Sequence, residues 1–73
     1  MCLAIPARII RIDGMRAQVE IMGVKKAVNI MLLESPEIGD GVMVHAGFAI
    51  NKIDEDYYSF LEEALEEMLG EMP

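Results

Sequence analysis

The apolar residues in the first two-thirds of the chain recur mainly at every second position, which is the period of β-strands. The run ARIIRI is followed by Asp13-Gly14 and then by MRAQVEI. A two-residue Asp-Gly loop supplies the positive φ angles that a tight turn requires, so these segments predict a β-hairpin. The second arm of this hairpin has the pattern of a half-buried strand, with apolar residues at Met15, Ala17, Val19 and Ile21.

Further strand-like segments follow the hairpin. Met22-Gly23 predicts a turn before VKKAVNIML, where Lys26 interrupts the apolar alternation and indicates an edge or a bulge. The stretch ESPEIGDG predicts a loop, because its Pro and Gly residues break any regular pattern. The segment VMVHAGFAINKI then predicts one strand with a bend or a close backbone approach at Gly47, and with His45 pointing away from its more apolar face. That face is predicted to carry Val42, Val44, Ala46, Phe48 and Ile50.

After Ile53 the apolar period changes to three and four residues, which predicts an amphipathic helix over 54–70. Asp54 is placed to cap this helix, and Gly70 ends it. The predicted apolar stripe consists of Tyr57, Phe60, Leu61, Ala64, Leu65 and Met68, opposite Glu62, Glu63, Glu66 and Glu67. Four or five short strands and one helix predict a mainly β fold in a single domain, 1–73. The predicted architecture is a small barrel over 1–53 with the C-terminal helix packed on it.

Length and charge restrict the function of the chain. A chain of 73 residues buries only about 60% of the surface that its unfolded form exposes, so a roomy enzyme pocket is not expected. One cysteine cannot form an internal disulfide, and no charged leader or membrane-length apolar run is present, which predicts a cytoplasmic protein. The net charge of −7 disfavours a general nucleic-acid binder. Five Lys or Arg residues stand against two acids up to residue 33, and this basic half suits an acidic protein surface.

Cys2 and His45, the sole cysteine and the sole histidine, are the candidate metal ligands. A lone cysteine commonly behaves as a small hydrophobe, and a lone histidine on a strand is more often a structural group. The position of Cys2 nevertheless favours a functional role, because removal of Met1 by methionine aminopeptidase leaves a thiol and an α-amine on one residue. The neighbouring ammonium favours the thiolate, and thiolate and amine together suit chelation of one metal. His45 joins such a site only if the fold lays the N-terminal arm beside its strand.

Two blocks of the sequence resemble one protein family. MCLAIPARI at the start and PEIGDGVMVHAGFAINKIDE later are similar to the HypC/HybG/HupF family of small nickel-iron hydrogenase maturation chaperones. The blocks occur in the family's order and spacing, and the hairpin between them and the acidic helix after them extend the likeness to essentially the whole chain. Gly41 departs from the family, which commonly has a larger residue after Gly-Asp.

The resemblance implies an OB-like β-barrel, that is, one of the oligonucleotide/oligosaccharide-binding type, with a C-terminal helix. It also implies a chaperone and not an enzyme. Such chaperones bind a HypD-type scaffold protein, on which iron receives cyanide and carbon monoxide, and then the precursor of the hydrogenase large subunit. The implied cargo is iron, held transiently as Fe(CN)2CO, with no permanently bound cofactor. No nucleic-acid or membrane partner is implied, and we expect a monomer or a weak homodimer.

The resemblance also assigns the site residues. Cys2 is the implied functional residue and iron ligand, and His45 is implicated in the iron-bearing complex. We expect partner contacts from the N-terminal arm and this histidine, namely from Cys2, Leu3, Ala4, Ile5, Pro6 and His45.

Two other classes of protein stay open from the residues alone. A small OB-type nucleic-acid-binding module shares the barrel, but it is expected to present exposed aromatic residues on its strands, and both tyrosines and Phe60 fall on the predicted helix. A thiol redox or transfer enzyme would use Cys2 as its nucleophile. The sequence has no second cysteine to resolve such a cycle.

Overall fold

A computed structural model describes residues 4–70, which form five strands and one helix. The elements are β1 Ile5–Asp13, β2 Arg16–Ile21, β3 Val24–Asn29, β4 Gly41–His45, β5 Phe48–Ile53 and α1 Glu55–Gly70. The strands close into a barrel in the spatial order β1-β2-β3-β5-β4. The predicted fold class, a mainly β protein with a small OB-like barrel and a C-terminal helix, is confirmed. Among the described residues, no helix is long and apolar enough to cross a membrane.

Strand β1 closes the barrel because it pairs with two different neighbours. Its first residues pair antiparallel with β4, beginning with Ile5 opposite Val44, and its later residues pair antiparallel with β2. A register shift between Ile9 and Arg11 marks an irregularity in the β1–β2 ladder, and such irregularities bend a strand. Strands β3 and β5 complete the barrel with a parallel pair.

The first hairpin turns one residue later than its sequence predicts. Gly14 and Met15 form the loop, and Asp13 pairs with Arg16 as the last residue of β1. Gly14 has a φ of 63° and Met15 does not have a positive φ, which is the pattern of a type II′ turn with glycine at its first central position. The turn predicted at Met22-Gly23 is confirmed, and both of its residues have positive φ angles, as a type I′ turn requires.

The segment VMVHAGFAINKI is not the single strand that its alternation predicts. It is the hairpin of β4 and β5, turned at Ala46 and Gly47, which have φ angles of 53° and 84°. The turn and a register shift between Met43 and Val44 change which positions face the core. Val42, Val44 and Ala49 are buried, whereas Phe48 and Ile50 are 39% and 40% exposed. Phe48 is therefore a half-exposed strand aromatic, although the sequence placed it on the buried face.

The core of the barrel is apolar, and none of the described residues is a buried polar or charged one. Ile9, Val19 and Val42 are its largest fully buried side chains. Each contributes roughly 1.5–3 kcal/mol by leaving water, which makes the barrel a firm support for its surface residues. The whole cluster consists of Ala7, Ile9, Ala17, Val19, Val28, Ile30, Val42, Val44 and Ala49.

Helix α1 begins as predicted but packs on a different side. The Oδ1 atom of Asp54 accepts a hydrogen bond of 2.8 Å from the backbone N–H of Tyr57, so the predicted cap is confirmed. The helix contacts β1 and β4 through Tyr58, which is 3% exposed. The predicted stripe is wrong as the packing face at Tyr57, Phe60 and Met68, which are 51%, 66% and 70% exposed. Its members Leu61 and Leu65 are half-buried, so the packing face takes in only that edge of the stripe.

Candidate functional site

The predicted site residues lie on both sides of the boundary of the described structure. Cys2 and Leu3 precede residue 4 and lie outside it. Ala4 is exposed, Ile5 is half-buried and Pro6 is buried at the start of β1. These residues and His45 are therefore the part of the predicted site whose geometry is described.

The register of β1 against β4 places Ile5 and Pro6 beside the strand of His45. Ile5 lies opposite Val44, and His45 follows Val44 as the last residue of β4. The strands are antiparallel, so the chain before Ile5 leads towards the end of β4 at which His45 lies. Pro6 fits this position because pairing of β1 with β2 begins only at Arg8, and proline within a sheet is confined to such positions with one strand neighbour.

His45 lies at this end of the barrel beside a turn that a neighbouring strand holds. It is half-buried and lies opposite Phe48 across the two-residue turn. The turn is fixed from the neighbouring strand, because the backbone N–H of Asn29 donates a 2.9 Å hydrogen bond to the carbonyl of Gly47. None of the side-chain hydrogen bonds described within residues 4–70 involves the imidazole of His45.

The donor groups near this end do not form a site for a bare metal ion by themselves. Among residues 4–70, no group of three or more His, Cys, Asp or Glu side chains is placed to hold a metal. His45 supplies one nitrogen donor, and the sequence adds the thiol of Cys2. These donors are fewer than the four protein ligands that a structural zinc site takes.

An open groove with a mixed apolar and polar lining lies along the strand that begins at Phe48. It has a volume of about 570 Å³ and runs between β5 and the loop after β3, with Leu32, Leu33 and Ile50 in its lining. Lys52 Nζ holds this loop by donating a 2.8 Å hydrogen bond to the carbonyl of Ser35. A groove that is open to solvent fits contact with another protein better than it fits an enclosed small substrate.

A second cluster, which sequence reasoning missed, joins α1 to the barrel through Arg8. Its Nη1 donates to the carbonyl of Gly39 at 2.8 Å, and its Nη2 donates to Glu55 at 2.8 Å and 3.2 Å. Its guanidinium carbon also lies 4.4 Å from the centroid of the Tyr58 ring. The hydrogen bond to Glu55 raises the pKa of Arg8.

Tyr58 is the helix residue of this cluster that packs against Arg8. Burial raises the pKa of its hydroxyl, and Glu62, which accepts a hydrogen bond of 3.3 Å from that hydroxyl, raises the pKa further. Arg8 and Tyr58 are fifty residues apart, so no local pattern joins them. The available signal was Gly41, whose small size gives room for the ring.

The similarity of the chain to known proteins covers nearly its full length. Residues 1–66 match the HupF/HypC family. The chain belongs to this family of hydrogenase maturation chaperones. The resemblance predicted from the MCLAIPARI and PEIGDGVMVHAGFAINKIDE blocks is thereby confirmed.

Curated relatives support the same assignment. The chain is similar to the hydrogenase maturation factor HypC of Cupriavidus necator, with 42% identity over 57 residues, which cover 77% of this chain and 63% of that relative. The match thus spans slightly less than two-thirds of that protein. The chain is also similar to HypC of Escherichia coli K12, with 34% identity over 79 aligned positions, which cover 100% of this chain and 88% of the relative. For the maturation factor HybG of the same organism, identity is 36% over 75 positions, covering 93% and 92%.

Proposed function

We propose that this protein binds a HypD-type scaffold and the precursor of the hydrogenase large subunit, and that it helps to assemble and deliver the Fe(CN)2CO unit of the nickel-iron site. The pairing of Ile5 with Val44 carries the proposal, because it places Ile5, which is three residues after Cys2, next to the strand end that holds His45. The similarity to proteins named hydrogenase maturation factors supports it.

The reach of the chain allows Cys2 and His45 to be ligands of the same iron atom. Cys2 precedes Ile5 by three residues, and three residues span at most about 11 Å. His45 is one residue beyond the strand partner of Ile5, and neighbouring strands lie about 4.8 Å apart. The thiolate of Cys2 is the proposed iron ligand, and the imidazole of His45 is the proposed second ligand or the group that orients the iron unit.

The donor set supports a cargo of this kind. Two cyanides and one carbon monoxide already occupy positions on the iron, so a thiolate and one or two nitrogen donors are enough to hold it. Iron with these strong-field ligands is soft enough to accept a thiolate. Delivery then requires ligand exchange, in which one iron–sulfur bond breaks as another bond to iron forms, without rearrangement of the apolar core.

The surface at Ala4 and Ile5, where β1 begins, supports a role in partner contact. Ala4 is exposed and Ile5 is half-buried, so both have surface beside His45 for a second protein. We assign the partner contact to the arm from Cys2 to Pro6 together with His45. The protein acts in this proposal as a cytoplasmic carrier and docking chaperone, not as an enzyme with its own turnover.

A maturation assay tests the proposal. Untagged Cys2→Ala and His45→Ala variants are expressed in a cell that makes nickel-iron hydrogenase and lacks its own chaperone of this family. We expect Cys2→Ala to give a folded protein, with an unchanged circular dichroism spectrum and melting curve, but no hydrogenase activity, whereas His45→Ala lowers the activity partly. Full hydrogenase activity with Cys2→Ala would overturn the proposal.

A further inference from the structure

Helix α1 presents an apolar face that the barrel does not cover. We call this the α1 outer face, and it consists of Tyr57, Phe60, Ala64 and Met68. These residues are spaced by three, four and four positions, so they share one side of the helix. Tyr57, Phe60 and Met68 are 51%, 66% and 70% exposed, and Ala64 is exposed as well.

The base of the helix is fixed, which makes the α1 outer face a rigidly held surface. Tyr58 packs on Gly41, Arg8 donates a hydrogen bond to Glu55, and Asp54 caps the first turn. These contacts occupy the side of the helix that faces β1 and β4. The helix is 16 residues long, which corresponds to about 24 Å. The α1 outer face extends along most of this length, from Tyr57 to Met68.

One edge of the α1 outer face is acidic. Glu63 and Glu67 line a shallow groove of about 120 Å³ together with Phe60 and Ala64. Within the described residues the ion pairs are Arg8 with Glu55 and Lys52 with Asp40, so neither of these two glutamates has a described cationic partner. Glu66 lies on the other side of the helix and provides a comparison for them.

We infer that the α1 outer face docks into an apolar groove of a partner protein whose edge carries Lys or Arg against Glu63 and Glu67. Apolar anchors at i, i+3 and i+7 are typical of helices that lie in hydrophobic grooves. A second copy of this chain fits poorly, because pairing two such faces would bring their glutamates together. The inference rests on the proposed function, in that the partner is the scaffold or the large-subunit precursor.

The docking face is distinct from the proposed iron site. Tyr58 contacts Gly41 at the beginning of β4, whereas His45 ends that strand. Changes on α1 are therefore expected to alter the affinity for a partner while leaving ligation by Cys2 and His45 intact. This separation allows the docking face to fail while the proposed iron ligation stands.

Equilibrium binding to the purified scaffold and to the purified precursor tests the inference, with matched neighbouring variants. Phe60→Glu is compared with Ser59→Glu, which adds the same charge on the other side of the helix, and Glu67→Lys is compared with Glu66→Lys. We expect Phe60→Glu to raise the Kd for at least one partner about 30-fold, as at an interface hot spot, and Glu67→Lys to raise it about 5-fold. Ser59→Glu and Glu66→Lys should change the Kd less than about twofold.

The possible failures differ in their signature. Unchanged binding of both partners by Phe60→Glu and Glu67→Lys, while the parent chain binds, would overturn the docking face alone. If the parent chain binds neither protein, the partner assignment of the proposed function is overturned and the docking face with it. If light scattering shows a dimer that Phe60→Glu dissociates, the face is a self-association surface and the inference is also overturned. Circular dichroism of each variant confirms that it is folded.

Discussion

The ring of Tyr58 packs directly on the backbone of Gly41, so closely that a methyl group at position 41 would lie 2.9 Å from its Cδ2 atom. This contact joins the second turn of α1 to the first residue of β4. It buries Tyr58 to 3% exposure and sets which side of the helix faces the barrel. The small size of Gly41 therefore allows the helix to pack on the barrel in this way.

Gly41→Ala should weaken the protein by displacing this ring. Gly41 does not have a positive φ, so alanine fits the backbone and the cost comes from crowding, about 1–3 kcal/mol in the free energy of unfolding. Urea unfolding of the parent, Gly41→Ala, Tyr58→Ala and the double variant measures this cost. In the Tyr58→Ala background the alanine should cost much less. Equal costs in both backgrounds would show that the contact does not set the packing of α1.

Arg8→Gln should loosen the attachment of α1. It removes the hydrogen bonds to Glu55 and Gly39 and the cation over Tyr58, each worth about 0.5–1 kcal/mol at a partly exposed site. We expect a loss of roughly 1–2 kcal/mol in urea unfolding, part of which disappears at high salt because exposed ion pairs are screened. Arg11→Gln is the control, since Arg11 is exposed and has no ion pair with a described residue. Similar losses for both variants would contradict the role of Arg8.

The raised pKa of Tyr58 predicts a loss of stability in alkali. Burial disfavours the phenolate, so folding is favoured while the hydroxyl stays protonated. This contribution is complete below the unfolded pKa of about 10 and is lost as the pH rises through the higher pKa of the folded protein. Melting temperatures from pH 8 upwards should fall more steeply for the parent than for Tyr58→Phe. Parallel curves would contradict the prediction, and Tyr57→Phe controls for the exposed neighbouring phenol.

Local patterns predicted the barrel class and the Asp54 cap, because these depend on alternation, turn residues and capping within a few positions. They wrongly predicted one strand in place of β4 and β5, because the alternation of apolar residues in the sequence continues across Ala46 and Gly47, where the chain turns. They also misplaced the packing side of α1. The most apolar stripe is the usual choice for burial, but Tyr58 is buried because a distant glycine makes room for it.

The candidate site shows the same division. The sequence singled out Cys2 and His45 by their chemistry and by resemblance, but the relation between the N-terminal arm and the histidine depends on strand register. That register is described for Ile5 opposite Val44. The cluster of Arg8, Glu55 and Tyr58 depends on closure of the barrel and could not be predicted from spacing.

The central claim is that the thiolate of Cys2 holds the iron unit, and infrared spectroscopy tests it most directly. The chain is purified with its partners from a cell that makes nickel-iron hydrogenase, with its native N-terminus, as the parent, as Cys2→Ala and as His45→Ala. We predict cyanide and carbonyl stretching bands in the parent, shifted or weakened bands in His45→Ala and no bands in Cys2→Ala. Bands of unchanged position and intensity in Cys2→Ala would contradict the claim, because the iron would then be held by the partner.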